Sequence, residues 1–139
     1  MAVGQKTVKP TRAQEARAYQ ATTERDGGCC VKCGRAGVMS RDHRLNRSQG
    51  GLTTTANLQL LCGTGTTGCH GWFTSHPAEA LREGWGVPMW ADPHEYPARR
   101  WLSTGVGTLR LGWVLYDYLG GWEEIDEAEA ARRRRGRDE

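Results

Sequence analysis

The sequence predicts a small α+β domain: an N-terminal helix, two strands and a helix held by a metal, and a Trp-rich β appendage. Three observations predict it. One segment near the N-terminus is helix-forming and carries its own start and stop signals. Two cysteine pairs, Cys30/Cys33 and Cys62/Cys69, bracket two short β-prone runs. Beyond Gly84 the texture turns to Trp, Gly and Pro among short apolar stretches.

Residues 1–9 are polar and basic and are expected to form a flexible arm, with the core over 10–84. Thr11-Arg12-Ala13-Gln14 reads as a capping box, so a helix should run to about Arg25 and stop at Asp26-Gly27-Gly28. Residues 29–36 read as a metal knuckle. Gly37–Arg44 should be a strand carrying Asp42 and His43. Residues 45–56, rich in Arg, Asn, Gly and Thr, read as a loop, and Leu58–Leu61 as a second strand. Thr66-Thr67 would cap a helix from Gly68 that carries His70, Trp72 and Phe73 until Pro77 interrupts it. Ala78–Glu83 then adds a turn or two, closed by Gly84.

In the appendage, residues 85–122, Leu109–Leu115 and Val114–Tyr118 are β-prone, with Gly112 as a turn or bulge. Trp85, Trp90, Trp101, Trp113 and Trp122 could stack on bases or fill a core, the commoner use of Trp in a small domain. Residues 123–139 read as an acidic helical stretch and then a basic tail, Arg132 to Arg135 with Arg137, either solvated or close to a nucleic acid.

The cysteines number five, an odd count, and the polar, basic opening argues against secretion. A reducing, cytoplasmic setting is therefore expected, where paired thiols are read as metal ligands. Cys30 and Cys33 have C-x2-C spacing. Cys62 and Cys69 enclose G-T-G-T-T-G, whose three glycines make a tight loop feasible. Four thiolates in two pairs satisfy tetrahedral zinc. Cys29 could replace Cys30 at C-x3-C spacing, but C-x2-C is commoner, which leaves Cys29 as a spare, oxidisable thiol. Hydrophobic content of 37% with 19 glycines is thin for a core. Zinc ligation, contributing on the order of 10 kcal/mol to folding, would offset that. No run approaches transmembrane length, so a soluble chain without a membrane partner is expected.

A net charge of +3 hides an asymmetry. Residues 1–50 carry ten Lys or Arg against four Asp or Glu, residues 51–98 one against four, and residues 99–139 eight of each. The basic excess thus falls on the segment with Asp42-His43, which suits a polyanion such as nucleic acid. Arg41, Arg44 and Arg47 are the candidates for phosphate contact, all expected to be exposed.

The ordered pieces R-D-H-R, Gly50-Gly51, A-N-L-Q-L-L-C and G-C-H resemble the HNH endonucleases, which have a ββα-metal fold. The longer run C-V-K-C-G, N-L-Q-L-L-C-G-T-G-T-T-G-C-H-G-W-F-T-S-H-P and Asp92-Pro93 is similar to the small HNH proteins of actinobacteriophages. The weaker similarity reaches roughly residue 118. The resemblance implies hydrolysis of phosphodiester bonds in double-stranded DNA, in a host bacterial cytoplasm, with a terminase or other packaging protein as partner or a homing role. It implies His43 as general base, with Asp42 and His70 as ligands of a catalytic divalent metal, Mg²⁺ or Mn²⁺ with Zn²⁺ or Ni²⁺ as alternatives. Asn57 would hold the loop and orient His43 through its side-chain amide. Cys30, Cys33, Cys62 and Cys69 would hold structural zinc. His76 would be a further metal ligand, a phosphate contact or a helix-surface His, and His94 structural or solvent-facing. Close phage relatives often carry His where Asp42 stands; Asp is the harder ligand and suits Mg²⁺. Neighbouring strand residues point to opposite faces, so Asp42 and His43 need a twisted or bulged strand end to reach one cleft. The alternative is an inactive zinc-stabilised module that binds DNA or a terminase. A pure binder, however, needs none of Asp42, His43, Asn57 and His70.

Overall fold

The capping box at Thr11 closes in both directions: the Thr11 hydroxyl accepts from the Gln14 N–H, and Gln14 Oε1 accepts from the Thr11 N–H at 2.8 Å. Helix α1 (Arg12–Asp26) follows and ends at Gly27 in the left-handed conformation. The computed structural model describes residues 8–136. Most of the expected basic arm therefore lies outside the described residues, as does Arg137. Among the described residues the fold is mixed α+β, with four helices and two antiparallel sheets. The first sheet pairs β1 (Met39–His43) with β2 (Leu58–Cys62), setting Asp42 opposite Gln59 and His43 opposite Leu58. Helices α2 (Gly68–Ser75) and α3 (Pro77–Glu83) follow, parted where the Pro77 ring forbids a continuous helix. The second sheet is a meander of β3 (Ala98–Ser103), β4 (Leu109–Tyr116) and β5 (Trp122–Ile125). Helix α4 (Glu127–Arg135), N-capped by Asp126, closes the described chain.

Helix α1 is mostly polar, and it is anchored through its last two residues. The side chains of Arg25 and Asp26 are wholly buried. The Asp26 carboxylate accepts from Arg25, from the Leu60 N–H at 3.0 Å and from Arg100 at 2.6 Å. Arg25 also donates to the carbonyls of Thr55 and Leu58 and lies 3.6 Å from the Tyr116 ring centroid. One carboxylate thus binds α1, β2 and β3 together.

The meander packs on the rest of the chain: Leu111 of β4 lies against the cluster of Cys30, Val31, Leu61, Ala80 and Trp85, and Ala56 shares a second cluster with Ala98, Leu102, Val114 and Tyr116. Two expectations about the second half are corrected. Gly112 is neither turn nor bulge: β4 runs through it, opposite Arg100, and a β-carbon there would collide with the Leu102 side chain. The run Arg132 to Arg135 is not a loose tail but continues the expected helical stretch as the end of α4. Ala130 is buried against Trp113 and Ile125, and Arg134 donates to the Leu81 and Arg82 carbonyls at the end of α3. Trp85 and Trp113 are core residues, whereas Trp90 and Trp122 are exposed.

Breaking a buried charge cluster by removing one partner costs about 3–5 kcal/mol. Asp26→Asn is therefore expected to lower the unfolding free energy by that order, measured by urea denaturation. A midpoint within error of the parent would show that α1 is held by packing instead.

Candidate functional site

The four expected cysteines converge. The sulfurs of Cys30, Cys33, Cys62 and Cys69 all lie within 4.8 Å of one another, and Cys33 and Cys62 are 3.6 Å apart. Thiolates about 2.3 Å from a tetrahedral zinc stand roughly 3.8 Å apart, so the cluster fits that ion. Two backbone N–H groups point at sulfur, Cys33 to Cys30 at 3.5 Å and Cys69 to Cys62 at 3.3 Å, and such bonds stabilise metal-bound thiolate. The return from Cys62 to Cys69 depends on Gly63 and Gly68. Both have positive φ, and a β-carbon at either would meet backbone atoms of the same loop.

The thiols are also electrostatically frustrated as a set. Burial raises the Cys30 thiol. Burial and the proximity of Cys30 push Cys69 well above the ordinary value. Burial acts upward on Cys62 too, but hydrogen bonds from Cys69 and the neighbouring thiols outweigh it and lower that group. A dication at the centre would turn this conflict into attraction. Cys29 stands outside the cluster, its backbone bridged to Ala36.

Because His70 follows Cys69 on α2, the cysteine cluster also fixes where its imidazole lies. His70 Nε2 is 3.5 Å from Asp42 Oδ1. Its Nδ1 is enclosed without a hydrogen-bond partner among the described residues. Burial pushes the Asp42 carboxyl up to about 6, against the hydrogen bond from Gln59 and the proximity of His70 and Arg44. An oxygen and a nitrogen at this separation suit one divalent cation. No third His, Cys, Asp or Glu joins the pair among the described residues. His76 in particular sits between α2 and α3, its Nδ1 close to Ser75 Oγ and the Trp72 carbonyl and its ring stacked on Trp72. It does not join the Asp42–His70 pair, and of the expected roles the helix-surface His fits these contacts. His94 stacks on Tyr118, away from both clusters.

His43 is half-buried and turned toward the loop after β1. Its Nε2 lies 2.9 Å from Thr53 Oγ1 and 3.3 Å from Arg47 Nε. A guanidinium can only donate, so Nε2 accepts and the ring proton sits on Nδ1. Burial first and Arg47 second lower the His43 pKa, opposed by Glu15, which favours the neutral ring. No hydrogen bond joins His43 to Asp42 or His70: strand alternation sends Asp42 toward Gln59 and α2, and His43 toward Thr53.

Asn57 holds the loop, as expected, but not by touching His43. Its Oδ1 accepts from the Leu45 N–H, and its Nδ2 donates to the Leu45 and Leu52 carbonyls. Thr53, one residue beyond Leu52, makes the contact to His43 that had been expected of Asn57. Arg44 is likewise corrected. It is 2% exposed and donates to the carbonyls of Ala56, Pro93, Tyr96 and Pro97, so it cannot reach a phosphate. Arg41 and Arg47 are exposed and flank Tyr19, Arg47 bonding its hydroxyl at 2.9 Å. Two residues went unnoticed in the sequence. Gln59 joins the Asp42 carboxylate to the Trp85 carbonyl, and Thr53 bonds His43. Gln59 lies directly across the hairpin from Asp42, a pairing that depends on the register of β1 against β2.

Among the described residues, no helix is long and apolar enough to cross a membrane. Comparison with models of known families, with curated proteins and with solved structures yields no match.

Purified protein is expected to carry about one zinc per chain, because four thiolates complete one tetrahedron. Cys62→Ser should lose the zinc and unfold, while Cys29→Ser should keep both. Metal analysis and circular dichroism of the two variants decide it. Well-folded protein with no zinc would dismiss the metal, and zinc loss in Cys29→Ser would shift the ligand set.

Proposed function

We propose that the chain is a metal-dependent DNA endonuclease of the HNH type, with its ββα element formed by β1, β2 and α2. The observation that carries the reading is the approach of Asp42 Oδ1 to His70 Nε2 beside a four-thiolate staple, with an accepting His43 next in sequence. Two protein ligands leave positions for water and a phosphate oxygen, the way Mg²⁺ is commonly held. When bound, such a metal neutralises charge on the scissile phosphate and stabilises the leaving oxygen.

The chain's own residues have separate tasks in this reading. A phosphodiester lying across the end of β1 would meet Asp42 and His70 on one side and His43 on the other. His43 Nε2 takes a proton from the attacking water once Thr53 and Arg47 yield the position. Thr53 holds the ring until water enters, and Asn57 keeps the loop that carries Thr53 closed. Gln59 holds the Asp42 carboxylate toward His70. Double-stranded DNA is the proposed substrate, drawn by the exposed cations of α1 and the loop after β1.

His43→Ala is expected to lower single-turnover cleavage by on the order of 100-fold or more, the scale of a lost general base. Asp42→Ala and His70→Ala should raise the Mg²⁺ or Mn²⁺ concentration needed for half-maximal rate while zinc content holds. Supercoiled plasmid is the probe. If wild-type protein with full zinc never nicks it in either metal, the alternative stands: a zinc-stabilised DNA-binding module without catalysis.

A further inference from the structure

A groove of about 690 Å³ runs between the start of α1 and the Gly50-Gly51 loop, lined by Lys9, Arg12, Glu15, Arg47, Leu52 and Thr53 among others. Three of these are cations and one is an anion. Lys9, Arg12 and Arg47 are all exposed. Two of its lining residues, Arg47 and Thr53, also bond the His43 ring, so the groove lies beside that imidazole. Its position is fixed on both sides. Gly51 presses so close to Leu45 that a β-carbon would collide with the Leu45 carbonyl, and Asn57 pins Leu45 and Leu52. On the other wall, Thr11 and Gln14 satisfy each other's backbone N–H groups and fix the start of α1. Among the described residues no aromatic ring lines the groove, and its side chains offer charge rather than a stacking surface.

We propose that this groove holds the sugar–phosphate backbone of the DNA strand next to the scissile phosphate, with Lys9 and Arg12 as phosphate-binding residues that do not read bases. The inference rests on the nuclease reading, since it takes DNA as the ligand. It assigns the electrostatic grip to a wall formed by α1 and the residues before it, outside the R-D-H-R segment. Glu15 opposes that grip from within the groove.

The test is the salt dependence of binding to two short duplexes of unrelated sequence, measured by fluorescence anisotropy on the full chain without added Mg²⁺ or Mn²⁺. Each phosphate neutralised contributes about 0.9 to the slope of log K against log salt. Lys9→Gln/Arg12→Gln should make the slope shallower by about two for both duplexes. Glu15→Gln should tighten binding to both, and Arg82→Gln, on the exposed face of α3, should match wild type. Zinc content and melting temperature, unchanged in all variants, keep folding apart from binding. Slopes parallel to wild type in the double variant, with plasmid cleavage intact, would overturn the groove and leave the nuclease standing. Weakening confined to one duplex would also overturn it, since the groove would then be reading bases. Wild-type protein that binds neither duplex nor nicks plasmid would remove both readings together.

Discussion

Asp26 ends α1 with a carboxylate removed from water, and two guanidiniums and the Leu60 N–H close around it. Desolvating an ion costs several kcal/mol, and only full pairing returns it. That condition forces α1, β2 and β3 to meet at one point, because Arg25, Leu60 and Arg100 come from those three elements. Tyr116 completes the arrangement: its ring lies against Arg25, and its hydroxyl accepts from Arg100 at 3.1 Å. Arg44, the residue after β1, enters the same region, its pKa lowered to about 10 by burial, and its two terminal nitrogens donate to four carbonyls. A chain with few large apolar residues is thus held at its centre by a polar network whose geometry admits little variation.

The placement of the site follows from that network. Arg44 and Asp42 point inward, so alternation turns Arg41 and His43 outward along the same strand. Burial of Arg44 therefore fixes the rotation of the Asp42-His43 pair about the strand axis. The cysteine cluster sets the other coordinate. Cys62 ends β2 and Cys69 lies in the first turn of α2, so drawing their sulfurs together lays α2 against the hairpin and brings His70 to Asp42. Loss of either constraint would leave Asp42 and His70 in the sequence without leaving them as a pair in space.

Local chemistry was the legible part. The capping box at Thr11, the stop at Gly27, the two cysteine pairs and the break at Pro77 all depend on residues a few positions apart, and each is found where it was expected. The two strands of the first hairpin were also legible, from apolar runs bounded by turn residues. What sequence did not disclose is the fate of its arginines. Arg41, Arg44 and Arg47 look alike in a row, yet one of them is enclosed by carbonyls that arrive from residues 93–97. No local pattern distinguishes a guanidinium that will be solvated from one that a distant loop will cover. The Arg132–Arg135 run departs from its expectation for the same reason. Its composition is that of a solvated tail, and only Arg134 against the end of α3, on a helix anchored by Ala130 against Trp113, ties it to the rest of the fold.

The outward turn of His43 gives the loop after β1 a role beyond connection. The ring reaches Thr53 and Arg47, both on that loop, and the loop is closed by Asn57 and by the backbone contact at Gly51. Asn57 in turn precedes β2, whose next inward residue, Gln59, holds Asp42. The two sides of the proposed site are therefore joined through the start of one strand. One amide fixes the loop that aims the imidazole, and another, two residues on, fixes the carboxylate. A shift of β2 by one residue against β1 would break both at once, because Gln59 would turn to the opposite face and Asn57, in the turn that leads into β2, would be carried away from Leu45. The dense packing at the start of β2, where residues 55–61 are all buried, keeps that register in place.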